Sequence, residues 1–408
     1  MSTRLTSVDV RSSPLAPDAA TAPQQKRLDF VDGLRGLAAV YVVCHHAYHE
    51  LTWKDDGGLP HPILQLARSL AYGHYAVAIF IVLSGYCLML PIARSADGRL
   101  RGGFKAYILR RARRILPPYY AALGLFLLLI AVTPSLQHPA DAHWDSALPA
   151  LTLPATATHL LLIHNFWAAT KTAIDPPMWS IATEWQIYFA LPWILLPILR
   201  RFGKLAMLGT AFVIAWAPTL LPNLPLAPFL LQAEWTFLSA FACGMLAAQI
   251  GVSMHPGERA LRERIPWGSL TIGLALLTAV AALSRLLIQH RMLGDVLVGF
   301  TVMALLIYCT GIVSGTAARA MPWALKLLQA RPLISVGVFS YSLYLVHFPI
   351  LALMHIRLRA LHLAPVTRLG VLLFVGTPVC MAAAYLFHLA FEKRFLAPVQ
   401  KPTPSQSS

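Results

Sequence analysis

The chain has 408 residues, 57% of them hydrophobic and only 12% charged, with a mean hydropathy of +0.61. An ordinary soluble domain, in which about a quarter of residues are charged, is excluded, and the composition is that of a polytopic membrane protein. A net charge of +16 would suit nucleic acid, but basic excess in such chains usually marks cytoplasmic loops, so placement of the charges decides.

Residues 1–27 are polar and rich in Ser, Pro and Ala, with no apolar signal-peptide core, and read as a disordered cytoplasmic tail. Apolar stretches long enough to span follow at about 34–51, 73–92, 118–137, 178–199, 204–222, 232–252, 267–289, 293–314, 333–355 and 369–391. The expected fold is therefore an all-α bundle of about ten transmembrane helices over 28–395, with a short cytoplasmic tail at 396–408. With both termini inside, 24 of the 33 Lys and Arg fall in inner segments and 8 in outer ones, Arg35 lying within the first span. That threefold bias supports the orientation and argues for the membrane rather than nucleic acid. The long outer loop 138–177 contains Leu148–Trp167, broken by Pro149 and Pro154, which suits a re-entrant or interfacial helix. Cys44, Cys87, Cys243, Cys309 and Cys380 all fall in apolar runs and read as small buried side chains. With about 17 residues after the last span, chemistry is expected inside the membrane.

Polar residues inside these spans are the functional candidates, because lipid makes them costly. Leu28–Glu50 reads LDFVDGLRGLAAVYVVCHHAYHE. Eleven helical steps return to within about 20° of the starting azimuth, so Arg35 and His46 share a helix face, roughly 16 Å apart in depth. A histidine exchanges protons near neutral pH, which makes His46 the candidate catalytic residue. His45 and His49 read either as interfacial side chains or, one turn apart, as a metal pair, but no nearby Cys or acidic ligand completes a site and none is assigned. Met178–Pro192, MWSIATEWQIYFALP, places Glu184 about one turn into a helix that enters from the outer side, at the depth of His46. There it could orient the imidazole or form a structural ion pair. Glu234 reads as interfacial. Arg110–Tyr120, RRARRILPPYY, is either an inner-face anchor or, with Arg35, a phosphate-binding cluster, its prolines suited to the start of a span. Ser84 and Gly85 in IFIVLSGYCLML read as helix packing, and His347 before Pro349 in FSYSLYLVHFPI as core or cavity lining.

These segments, in this order, resemble the acyltransferase-3 family, integral-membrane acyl-CoA-dependent O-acyltransferases that modify lipopolysaccharide O-antigen, exopolysaccharides, peptidoglycan and some antibiotics. The likeness runs from Leu28 to about Glu392 and rests on DGLRGLAAVYVVCHHA, FIVLSGY, RRARRILPPYY, WSIATEW and YSLYLVHFPI. It implies a catalytic role for His46, Glu184 as its partner, and Arg35, Arg111, Arg113 and Arg114 as the site for acyl-CoA, most commonly acetyl-CoA, with no metal. The implied acceptor is a hydroxyl of an extracytoplasmic glycan or lipid-linked sugar, acylated directly. FEKRF lacks the proline often found after the family's final Glu-Arg pair, so Glu392 receives no role. A proton-coupled transporter using the same His, Glu and Arg residues is the competing reading.

Overall fold

The computed structural model describes residues 28–95, 97–315 and 322–395, and every element in them is helical. The two expected tails lie outside the described residues. Helices overlie all ten apolar stretches. The helices used below are α1 (Asp29–Thr52), α2 (Gly73–Arg94), α3 (Gly103–Val132), α4 (Trp179–Ala190), α5 (Leu196–Leu220), α6 (Phe237–Val252), α7 (Trp267–Leu283), α8 (Arg291–Val313), α9 (Arg331–Val338) and α10 (Ser340–Ala360). Beyond them, Pro365–Phe395 continues as one helical run.

Among the described residues, six helical segments are long and apolar enough to cross a membrane, or seven when α6 and Pro256–Arg264, bent by 95°, count as one span. The sequence expectation of ten counts differently for physical reasons. Polar side chains interrupt α1, α7 is only 17 residues long, and Pro176–Leu220 forms one 45-residue run. That run is broken at Gly203, whose φ of 86° is the left-handed conformation glycine adopts without a Cβ penalty. The break falls in the gap expected between the fourth and fifth spans.

Helix α3 also starts earlier than expected. It begins at Gly103 and carries Pro117 and Pro118 inside it, so the arginine run is helical and the prolines sit mid-helix. Each proline removes one backbone donor, which flanking helices compensate more readily than an isolated helix could. Leu153–Leu160 forms the short helix expected in the outer loop, with Pro154 in its first turn and the Thr152 hydroxyl accepting from Ala155 N at 3.3 Å.

Two close backbone approaches fix the core. A Cβ on Gly33 or Gly36 of α1 would overlap the carbonyl of Leu328 or Leu333, and one on Gly337 would overlap that of Asp32, so α1 lies directly against α9. Gly85 of α2 and Gly244 of α6 do the same across their interface, against the carbonyls of Phe241 and Val82. Small residues that admit such contact are how apolar helices associate without a hydrophobic driving force. The five cysteines are unpaired, three buried and two half-buried.

Candidate functional site

Three neighbouring cavities run along α1 and α2. The largest, about 1230 Å³, is bounded by the end of α2, the connection that follows it and the start of α3, and carries Arg94, Arg99, Arg101, Arg110 and Arg111. Arg200 holds that connection by donating to Gly98 O at 2.6 and 3.2 Å, and Arg110 donates to Arg101 O at 2.9 Å. A small cavity of about 110 Å³ follows, sharing Cys87, Leu88 and Arg111 with the first and adding Arg35, Arg114 and Glu184. Beyond it lies a third of about 460 Å³, lined by His45, His46, His49 and His143 on one side and by Lys171, Glu234 and Arg291 on the other. The small and third cavities have Val77 and Tyr344 in common.

Arg35 and His46 thus project from one helix into different chambers, as their shared face and separate depths require. The Arg35 guanidinium pairs with Asp32 at 3.2 Å and donates to Cys87 Sγ at 3.3 Å. Cys87 is therefore half-buried lining of the arginine chambers rather than a buried packing residue. Arg111 and Arg114 join Arg35, whereas Arg113, on the opposite face of α3, is exposed and lines none of these cavities. Three guanidiniums outnumber the carboxylates of Glu184 and of Asp32 paired with Arg35, which suits the small chamber to phosphate or another anion.

Glu184 sits in that chamber, not beside His46. Its Oε1 accepts from the Tyr188 hydroxyl at 2.5 Å, and Tyr188 in turn lies 3.1 Å from Ser84 Oγ. The position differs from the sequence expectation because residues 173–178, which precede α4, are all buried: the preceding loop folds into the protein and starts the helix inside it. Ser84, read as a packing residue, is part of this polar chain.

His46 is half-buried and its Nδ1 has no hydrogen-bond partner. Its ring stacks on His143 with centroids 5.4 Å apart, and lies 5.1 Å from both His347 and Phe348. His347 Nδ1 faces the carbonyls of Leu343 and Tyr344 at 3.0 and 2.9 Å, so it carries the proton and leaves the buried Nε2 as an unbonded acceptor. His45 Nδ1 is 2.7 Å from Leu70 O, and Gly73 brings the α2 backbone directly against its ring. His143, in the outer loop, is held well below the usual histidine value by burial and secondarily by His49 and His45, which keeps its ring neutral. Among the described residues no group of three His, Cys, Asp or Glu is placed to hold a metal ion.

The opposite wall was not visible as a site in the sequence. Lys171 pairs with Glu234 at 3.0 Å and lies 5.1 Å over the Trp179 ring, while His74 pairs with Asp295 at 2.8 Å. Glu234, expected to be merely interfacial, takes a left-handed φ of 56° as it joins this wall. These residues come from segments far apart in the chain, and no local spacing links them. The arrangement offers an arginine-lined chamber and, beyond Val77 and Tyr344, the His46 imidazole facing a polar, aromatic-walled chamber.

A family model described as an acyltransferase domain matches residues 28–385. Acyltransferase MdmB of Streptomyces mycarofaciens is 27% identical over 353 residues, 82% of this chain and 81% of that one. The regulator of hypoxia-inducible factor 1 of Caenorhabditis elegans is 26% identical over 45% of this chain and 37% of its own length. O-acetyltransferase OatA of Staphylococcus aureus is 21% identical over 79% of this chain and 50% of its own. The chain thus spans about four-fifths of the first relative and half or less of the other two. No solved structure matches.

Proposed function

The chain belongs to the acyltransferase-3 family of acyl-transferring membrane enzymes, and from that premise we propose that it moves an acyl group, acetyl in the simplest case, from cytoplasmic acyl-CoA to a hydroxyl of an extracytoplasmic or lipid-linked glycan. The observation that carries this reading is the single helix that sends Arg35 into an arginine chamber and His46 into a separate, polar chamber. In this reading the bundle crosses the plasma membrane ten times with both termini inside, and the arginine-rich mouth faces the cytoplasm.

The CoA nucleotide would occupy the large chamber, its phosphates met by Arg94, Arg99, Arg101, Arg110 and Arg111. Arg35 and Arg114 would draw the chain onward. Arg113 has no part in this assignment, because its side chain is turned away from the chambers. The Glu184 carboxylate, fixed by Tyr188, would hold the guanidiniums in place and balance their charge when no donor is bound. The thioester would then reach the acceptor chamber. There His46 takes the proton from the acceptor hydroxyl as its oxygen attacks the thioester carbonyl. The carbon–sulfur bond breaks, the ester forms, and the CoA thiolate recovers a proton. Hydrogen-bonding pairs beside aromatic walls, such as Lys171–Glu234 and Trp53, suit a sugar.

Purified protein incubated with labelled acetyl-CoA and a sugar-bearing acceptor tests the proposal. Label in the acceptor with release of free CoA is expected. Uptake of solute into proteoliposomes without any CoA-dependent transfer would instead establish transport.

A further inference from the structure

The small and the histidine chambers adjoin but are separate, and the two side chains they share are Val77 and Tyr344. Val77 is short, buried and fixed on α2. Tyr344, on α10, is the larger of the two and is also buried. Its ring reaches between the chambers, with Phe80 at 6.1 Å on one side and His347 at 5.9 Å on the other. Its hydroxyl is pinned by Ser180 Oγ at 2.5 Å and donates to Pro177 O at 3.1 Å. Ser180 itself lines the small chamber, and Pro177 lines the other. One aromatic ring, held at its tip by Ser180 of α4 and by Pro177 just before it, therefore stands between the arginine-lined chamber and the chamber that holds His46.

We propose that Tyr344, latched by Ser180 and Pro177, is the residue that selects what passes from the arginine chambers to His46, opening for the slender acyl-bearing arm of the donor and closing when the arm withdraws. Its purpose rests on the donor and acceptor reading given above, but its existence as a partition does not. Closed, it keeps bulk water, and acceptor molecules, from reaching a thioester bound on the arginine side. It also prevents an open aqueous path along α1. Loosening the latch should admit bulkier acyl arms and allow water to compete with the acceptor. Removing the ring should join the two chambers.

The native Cys87 thiol reports the partition directly, because it lines both arginine chambers and not the histidine chamber. Full-length protein in right-side-out and inside-out membrane vesicles is treated with an anionic, membrane-impermeant methanethiosulfonate, and Cys87 modification is followed by peptide mass spectrometry. Wild type should react from the arginine face and at least tenfold more slowly from the histidine face. In Tyr344→Ala the two rates should converge, and Ser180→Ala, which keeps the ring and removes one contact, should lie between. Equal rates from both faces in wild type, or a histidine-face rate unchanged in both variants, would overturn the proposal. Should Tyr344→Ala not fold, as judged by elution as a single species, Tyr344→Phe together with Ser180→Ala decides. Because no acyl donor is present, this result is independent of the acyltransferase reading. A second readout, hydrolysis of acetyl-CoA without acceptor, should rise severalfold in Ser180→Ala if donor and partition work together. Unchanged hydrolysis with faster Cys87 labelling would leave the partition standing and remove its coupling to the donor.

Discussion

Gly73→Ala perturbs the histidine cluster without removing an ionisable group. The new methyl would overlap the His45 ring, lying 2.6 Å from Nε2 and closer to Cγ and Cδ2, against an optimal carbon contact of about 3.5 Å. The backbone on one side cannot yield, so the ring must move by about 1 Å or swing away. It then loses its 2.7 Å contact with Leu70 O, worth about 1 kcal/mol, and presses on His46 and His49, whose centroids lie 5.0 and 4.4 Å away. A misplacement of about 1 Å near the chemistry costs on the order of 100-fold in rate. The variant should therefore bind acetyl-CoA as wild type does, melt roughly 2 °C lower, and transfer acetyl about 100-fold more slowly. Acetyl transfer is measured with saturating donor, beside a donor-binding titration on the same preparation. Transfer at the wild-type rate in folded protein would show that the position of the His45 ring does not govern His46.

Arg35→Lys keeps the charge but loses the planar fork; forfeiting one charge-assisted hydrogen bond, about 1.5–3 kcal/mol, should raise the Kd for acetyl-CoA roughly 10- to 150-fold, as read by isothermal titration. Glu184→Gln keeps an acceptor for Tyr188 but removes the charge facing three arginines; the anionic donor no longer has to displace a carboxylate, so donor Kd should fall about 30-fold, corresponding to about 2 kcal/mol, while turnover at saturating donor changes by less than about threefold. An unchanged Kd would reduce Glu184 to scaffolding. For His143 the folded value lies below the unfolded one, near 6.5, so both states are neutral above that pH. Below it the unfolded chain gains a proton that the folded chain excludes, and stability falls by about 1.4 kcal/mol per pH unit until the folded value is reached. Thermal unfolding between pH 7 and 5 should thus show a shallower acid loss in His143→Gln than in wild type, and parallel curves would contradict the assignment.

The apolar runs made the helices legible, and the gap before the fifth span coincides with the break at Gly203, because length and hydropathy are local properties. The Arg35 and His46 relation was legible for the same reason, since one helix sets both azimuth and depth. Glu184 was misplaced because nothing in WSIATEW says that the preceding loop is buried. Arg113 could not be separated from Arg111 and Arg114 without knowing that α3 starts at Gly103 and which face it turns inward. The basic residues at Arg94, Arg99 and Arg101 counted only toward topology, yet with Arg110 they form a wall of the largest chamber. The grouping of Lys171, Glu234 and His74 around the third cavity, with Asp295 paired to His74, exists only in three dimensions.

Sided transfer tests the central claim most directly. Membrane vesicles of each orientation receive labelled acetyl-CoA on one face only, with the acceptor on the other, for wild type and His46→Ala. Wild type should acetylate the acceptor when the donor is confined to the arginine face and not in the reverse arrangement, while His46→Ala should bind donor with unchanged Kd and transfer nothing. Equal transfer from either face, or full transfer by His46→Ala, would contradict the account.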